Sequence, residues 1–121
     1  MPDNDVTISD IVTIPCKTIE SAHNPYPNSQ DNVILGELTF EGAKSLTVIL
    51  DYQTEYTSYD YFLIYDSFSS PTSINNNKKY GGSSRTKETI TINSNYIKIT
   101  FTSDSSGNNY YGLKAMIIPN Y

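Results

Sequence analysis

Residues 59–66 read Tyr59-Asp60-Tyr61-Phe62-Leu63-Ile64-Tyr65-Asp66, and this stretch decides the fold. Aromatic and β-branched side chains fill it, a composition that favours an extended strand over a helix. Large apolar side chains alternate onto both faces, so we expect a strand that is covered on both sides and lies centrally in its sheet. Asp60 places a carboxylate at the start of this predicted strand.

Short runs of the same kind recur along the chain and are separated by turn residues. The predicted strands are residues 6–14, 33–40, 45–51, 60–65, 88–93, 96–103 and 112–118. No segment has the helical apolar period of about 3.6 residues. The polar bend Asn93-Ser94-Asn95 is predicted to join the two strands beside it in a hairpin.

Many short strands without helices predict an all-β fold, an antiparallel β-sandwich of jelly-roll or immunoglobulin-like topology. The immunoglobulin pattern requires a tryptophan and a pair of cysteines, whereas this chain has no tryptophan and one cysteine. The jelly-roll sandwich is therefore the predicted fold. Within residues 96–103, Ile97, Ile99 and Phe101 are predicted to share the buried face.

The amino-acid composition argues against several classes of binding partner. Eight basic residues against thirteen acidic ones give a net charge of −5, which disfavours nucleic acid and anionic membranes. No apolar run approaches the roughly 20 residues that span a bilayer, so membrane insertion is not expected. Cys16 is the single cysteine, which excludes an intrachain disulfide and a thiolate metal cluster. A length of 121 residues fits one domain.

A polar stretch near the C-terminus carries an aspartate near its start, as residues 59–66 do. Residues 102–112 read Thr102-Ser103-Asp104-Ser105-Ser106-Gly107-Asn108-Asn109-Tyr110-Tyr111-Gly112. Asp104 lies at the start of this predicted loop, as Asp60 lies at the start of the predicted strand. If the two ends meet in the fold, their carboxylates can share a cation.

Four motifs, taken in order, resemble the CUB domain family. They are Ile19-Glu20-Ser21-Ala22-His23-Asn24-Pro25-Tyr26-Pro27, residues 59–66, Lys79-Tyr80-Gly81-Gly82, and Phe101-Thr102-Ser103-Asp104-Ser105-Ser106 with Tyr111-Gly112-Leu113-Lys114-Ala115. The resemblance implies a CUB-like β-sandwich domain over residues 15–121, preceded by an N-terminal extension or additional edge strand at residues 1–14. The chain lacks the four cysteines of the extracellular modules, and Ser67 replaces the glycine that usually follows the aspartate.

Calcium-type CUB modules hold one Ca²⁺ between acidic side chains, and the resemblance implies the same cofactor here. Asp60 and Asp104 match the family's ligands directly, and we favour Glu55 as the third carboxylate. Further oxygens are expected from Ser106 or from the backbone of Ser105 and Gly107. Calcium takes about six to eight oxygen ligands and tolerates irregular loop geometry, which suits such a group.

Alternatives remain open for these residues. Asp51 is the other candidate for the third carboxylate, because it also precedes the strand of Asp60. Without a cation, Asp60 would cap a turn and Asp104 would form an Asx-turn. Tyr26 resembles the family's tyrosine whose hydroxyl supports the carboxylates, and it is counted with the ligand-binding residues.

The resemblance implies a non-catalytic interaction module that binds a protein ligand through a basic side chain near the calcium. Four tyrosines are expected to supply contact area there, although cross-strand packing explains them equally well: Tyr56, Tyr59, Tyr110 and Tyr111. One alternative is a carbohydrate-binding module with a glycan as its ligand. Another is a structural or adhesive surface domain that self-assembles when residues 6–14 add as a strand to another chain.

Catalysis is not expected from this sequence. His23 is the only histidine and is predicted to be an exposed loop residue, while Cys16 has no accompanying catalytic signature. The predicted location is extracellular or on the cell surface, as part of a larger protein. Because the N-terminus lacks secretion-signal features and the chain has no cysteine pair, a cytoplasmic location stays open.

Overall fold

The structure is a computed structural model, and it describes residues 16–121. The strand predicted at residues 6–14, and with it the proposed edge strand or self-assembly segment, lies outside the described residues. Within residues 16–121, no helix has the length and apolar character needed to cross a membrane.

Seven strands and one helical turn make up the described chain. The elements are β1 (Lys17–Glu20), β2 (Val33–Thr39), β3 (Ser45–Gln53), β4 (Tyr61–Tyr65), α1 (Ile74–Asn77), β5 (Thr86–Ile92), β6 (Tyr96–Thr102) and β7 (Gly112–Asn120). In α1, Asn75 and Asn76 have φ values of 55° and 57°, a left-handed conformation that asparagine tolerates better than most residues. Within residues 16–121, this single turn is the only helical element, as the lack of a helical apolar period predicts.

The strands form two antiparallel sheets, as the all-β prediction requires. The first sheet has the order β1-β7-β3-β5, and the second has the order β2-β6-β4. One hydrophobic core joins them, with Val48 and Leu50 of β3 and Ile97 and Ile99 of β6 fully buried in it. The molecule is therefore an antiparallel β-sandwich.

The predicted hairpin between β5 and β6 is wrong. The two strands belong to different sheets, because β5 pairs with β3 while β6 pairs with β2 and β4. Residues 93–95 instead turn a corner between the sheets, and the Ser94 hydroxyl donates a 2.8 Å hydrogen bond to the backbone carbonyl of Asp66. The buried side chains of both strands face one core from opposite sides, which a hairpin within one sheet would not allow.

The position predicted for β4 is also wrong, because this strand lies at an edge of its sheet and not at the centre. Its free side is protected at one point, where Phe62 and Tyr80 exchange backbone hydrogen bonds of 2.8 and 3.0 Å. The central strand is β6, whose Ile97, Ile99 and Phe101 share the buried face as predicted.

The antiparallel register gathers many strand termini at one end of the sandwich. Gln53 at the end of β3 pairs with Gly112 at the start of β7, and Tyr61 at the start of β4 pairs with Thr102 at the end of β6. The loops that follow β3 and β6 therefore meet at this end. Both loops carry predicted cation ligands.

Candidate cation site

Three carboxylates converge at that end of the sandwich. Glu55 follows β3, Asp60 precedes β4 and Asp104 follows β6. One oxygen atom from each lies within 4.8 Å of the others. The structure thus brings together the matched pair of aspartates and the favoured glutamate, although they are up to 49 positions apart in the chain (104 − 55).

Asp60 forms the buried base of this acidic cluster. The residue has no exposed surface, and both carboxylate oxygens are held by hydrogen bonds. Oδ2 accepts a 2.5 Å bond from the Tyr26 hydroxyl, and Oδ1 accepts a 2.9 Å bond from the backbone N–H of Asp104. The Thr54 hydroxyl also donates to the backbone carbonyl of Asp60 at 2.9 Å. The side chain therefore has one fixed orientation.

Tyr26 supports the cluster from beneath. Its hydroxyl donates to Asp60 and also accepts a 3.1 Å bond from the backbone N–H of Glu55. The ring is 1% exposed and meets Phe101 edge to face, with 5.0 Å between ring centroids. The predicted supporting role matches this geometry. Because the ring is buried, however, Tyr26 offers no surface to a protein or glycan ligand.

Glu55 and Gly107 close the cluster at its outer side. Oε1 of Glu55 is buried and has no hydrogen-bond partner among the described residues. Gly107 has a φ of +74°, and a Cβ atom there would lie 2.3 Å from the Cδ atom of Glu55. A side chain at this position would displace the Glu55 carboxylate, and the positive φ also favours glycine.

Asp104 makes the turn that the cation-free interpretation predicted. Its Oδ1 atom accepts a 3.1 Å bond from the backbone N–H of Ser106, the pattern of an Asx-turn. Asp104 still belongs to the cluster of three carboxylates. The turn and the cluster therefore coexist, and the turn directs the chain from Asp104 to Ser106 and Gly107.

Burial and mutual repulsion shift the acidity of the cluster. Burial raises the pKa of Asp60, and the nearby Asp104 carboxylate adds to this, while the bonds from Tyr26 and the Asp104 N–H oppose it. Loss of solvation likewise raises the pKa of Glu55, with further contributions from Asp104 and Asp60. Negative charge is thus disfavoured in the cluster without a compensating cation.

Asp51 lies outside this cluster. It lies on β3, and its two carboxylate oxygens accept hydrogen bonds of 2.5 and 2.9 Å from Nε and Nη2 of Arg85. That bidentate contact holds the pKa of Asp51 below its usual value. Of the two candidates for the third carboxylate, the structure brings Glu55 to the cluster and leaves Asp51 with Arg85.

The four predicted contact tyrosines divide into two pairs. Tyr56 and Tyr59 are 63% and 52% exposed and meet edge to face beside the acidic cluster, with 6.4 Å between ring centroids. Tyr110 is partly buried against the core, and Tyr111 is stacked between two other side chains. The first pair is the more exposed one, and a contact role for all four tyrosines stays a prediction.

Three residues of this region were missed or misjudged from the sequence. His23 was predicted to be an exposed loop residue, but its side chain is 27% exposed and stacks on the Tyr111 ring. Asn108 was not singled out, although its amide donates a 2.6 Å bond to the backbone carbonyl of Tyr26. Arg85 entered the sequence analysis only as one of the eight basic residues. The contacts of His23 with the Tyr111 carbonyl, of Arg85 with Asp51 and of Asn108 with Tyr26 have no local sequence signal, because the residues of each pair lie at least 34 positions apart.

A comparison of the chain with protein-family models, with characterised proteins and with solved structures finds no match. The resemblance to the CUB family therefore depends on the order of the four motifs alone.

The acidic cluster predicts an unusual pH dependence of stability in metal-free buffer. Because the pKa of Glu55 is raised in the folded state, its stabilising contribution is complete below the unfolded pKa of about 4.3 and is lost as the pH rises through the folded value. Glu55→Gln lacks this titration. We expect wild type to lose free energy of unfolding relative to Glu55→Gln between about pH 4 and pH 7.

Urea denaturation of both proteins across this pH range measures the difference. Glu41→Gln is the matched control, because Glu41 is an exposed glutamate outside the acidic cluster and its replacement should not reproduce the effect of Glu55→Gln. A wild type that gains stability relative to Glu55→Gln on alkalisation would contradict the prediction.

Proposed function

We propose that this chain is a calcium-binding interaction module of the CUB type, with the jelly-roll connectivity of that family, which binds a protein ligand at its acidic end. The proposal includes a role within a secreted or cell-surface protein. Support comes from two independent sources, the ordered sequence motifs and the geometry of the acidic cluster.

The observation that carries the proposal is the buried Oε1 atom of Glu55. It lies in a cluster with two other carboxylates and has no hydrogen-bond donor among the described residues. An unpaired buried carboxylate oxygen costs free energy, and so does the repulsion between like charges. A bound cation removes both costs at once.

The donor set favours calcium among the common cations. Its three side chains offer only carboxylate oxygens, whereas zinc prefers nitrogen and sulfur ligands. The ligands come from loops on different strands, and calcium accepts that irregular geometry more readily than magnesium. The carbonyl of Gly107 and the hydroxyl of Ser106 are candidates for additional oxygens, since both residues follow the turn that Asp104 begins.

The surface beside the cluster suits a basic peptide or protein. Tyr56 and Tyr59 present two exposed rings next to Glu55, where the aliphatic part of a lysine or arginine can pack while its charge meets the carboxylates. Two other tyrosines that could stack on a sugar ring, Tyr61 and Tyr65, are less accessible to a glycan. The Tyr61 and Tyr65 rings are covered by the ammonium groups of Lys79 and Lys98, at 4.5 and 4.4 Å from the centroids.

Calcium titration of the metal-free protein tests the site. With a Kd of about 0.1–1 mM, calcium at about 10 mM should stabilise the native state by roughly 1.4–2.7 kcal/mol. That free energy corresponds to a rise of about 5–10 °C in Tm for a domain of this size. Asp104→Asn should abolish most of the rise, because it removes one of the three charges that attract the ion.

Controls separate specific binding from a general salt effect. Exposed Asp31 lies outside the cluster, so Asp31→Asn should keep the full response to calcium. Sodium chloride at matched ionic strength should leave Tm almost unchanged. If calcium moved neither Tm nor tyrosine fluorescence of wild type, the proposed function would be wrong.

A further inference from the structure

Four side chains link all the strands of the first sheet across the end where the acidic cluster lies. His23 follows β1, Tyr111 precedes β7, Asp51 lies on β3 and Arg85 precedes β5. These strands are neighbours in the order β1-β7-β3-β5. The contacts between the four side chains therefore cross the full width of the sheet.

The centre of this arrangement is the ring of Tyr111, which is covered on both faces. His23 stacks on one face with 4.2 Å between centroids and an interplanar angle of 15°. The guanidinium carbon of Arg85 lies 3.5 Å from the centroid of the Tyr111 ring, and two hydrogen bonds to Asp51 hold the guanidinium in this position. We call His23, Tyr111 and Arg85 the aromatic clasp.

Hydrogen bonds determine the orientation of His23 in the clasp. Its Nδ1 atom faces the backbone carbonyl of Tyr111 at 2.5 Å, and its Nε2 atom faces Oε1 of Glu20 at 2.8 Å. The carboxylate of Asp51 accepts both hydrogen bonds from Arg85, whose guanidinium lies against the Tyr111 ring.

A short series of backbone contacts connects the clasp to the acidic cluster. The loop before Tyr111 pairs with the loop after His23, because the N–H of Asn24 donates to Tyr110 at 3.1 Å and the N–H of Tyr26 donates to Asn108 at 3.2 Å. The Tyr26 hydroxyl then bonds to Asp60. The Tyr111 N–H is held in addition by Oε1 of Gln53 at 3.3 Å.

We propose that the aromatic clasp is a positioning element for the cation site, which fixes the loop 104–111 and so sets the affinity for calcium without contacting the ion. This inference rests on the proposed cation site. Asp104 and Gly107 lie on a loop whose other end is anchored by Tyr111. Loosening that anchor lets the loop leave the arrangement in which its oxygens face Glu55 and Asp60.

Calorimetric titration with calcium chloride on the whole chain tests the inference. We expect the Kd of Tyr111→Ala to rise about tenfold, in line with losses of groups that orient metal ligands. Arg85→Ala removes an exposed side chain and leaves the ring in place, so it should fold and show a smaller rise of a few-fold. Tyr111→Phe keeps both ring faces and should bind calcium as wild type does.

A second measurement works without metal. Hydrogen exchange of the Asn24 and Tyr26 amides should become faster in Tyr111→Ala and Arg85→Ala, while the exchange of central β6 amides changes less. Tyr121→Ala is the matched control, since it removes an exposed tyrosine at the C-terminus and should change neither Kd nor exchange.

The outcomes separate this inference from the proposed function. If wild type binds calcium and Tyr111→Ala binds it equally well, the clasp has no positioning role and the inference is overturned. If wild type binds no calcium, the proposed function fails and the inference fails with it. In that case, the exchange rates still report whether the clasp orders the loop.

Discussion

Asp60→Asn is expected to lose the response to calcium almost completely, with affinity reduced more than about 100-fold. Asp60 is the fully buried base of the acidic cluster, and its replacement removes one of three charges without changing the shape of the side chain. In metal-free buffer, by contrast, we expect Asp60→Asn to raise Tm slightly. The raised pKa of Asp60 indicates that its negative charge destabilises the fold, and the substitution removes both that buried charge and its repulsion with Asp104.

The hydrogen bonds around Asp60 can adapt to asparagine. The amide oxygen keeps the bond from the Asp104 N–H, and the amide nitrogen donates to the Tyr26 hydroxyl. That hydroxyl can turn toward the carbonyl of Gly107, which already lies at 3.4 Å. A well-folded variant with no calcium response is therefore the expected result.

Asp66 provides the matched control, because it follows the same strand at the opposite end and lies outside the acidic cluster. Asp66→Asn should keep the calcium-induced rise in Tm, measured by thermal denaturation with and without calcium. An Asp60→Asn variant that still binds calcium like wild type would show that the cluster does not hold the ion.

Phe101→Ala is expected to be the most destabilising single change in the core, with a loss of about 3–5 kcal/mol. The ring is 1% exposed and lies between two others, stacked on Phe62 at 4.7 Å and edge to face with Tyr26 at 5.0 Å. Its removal leaves a cavity in the core beside the central strand β6 and removes the edge-to-face contact with Tyr26, which lies beneath the acidic cluster. This loss is a large part of the roughly 5–15 kcal/mol that stabilises a typical domain.

Urea denaturation measures this loss as a lower midpoint. Phe68→Ala is the matched control, because the same substitution at a side chain that is 79% exposed should change the free energy of unfolding by no more than about 0.5 kcal/mol. Equal effects of the two substitutions would contradict the placement of Phe101 in the core.

Local pattern was sufficient for most of the strands. Residues 33–40, 45–51, 60–65, 88–93, 96–103 and 112–118 were predicted as strands, and β2 to β7 lie at these places. β1 was missed because its four residues are mostly exposed and show no alternation of apolar side chains. Pairing was less predictable, since the bend at residues 93–95 suits both a hairpin and a corner between sheets.

The sequence by itself predicted the strand pattern, because alternation is a property of neighbouring residues, while the pair Asp60 and Asp104 was implied by the resemblance in motif order. Only the tertiary structure decided that Glu55 joins them and that Asp51 does not. That choice depends on Arg85, 34 positions from Asp51, and on Gly107, which leaves room for the Glu55 carboxylate. Such contacts arise when distant strand ends meet in the folded sandwich, and no local pattern encodes them.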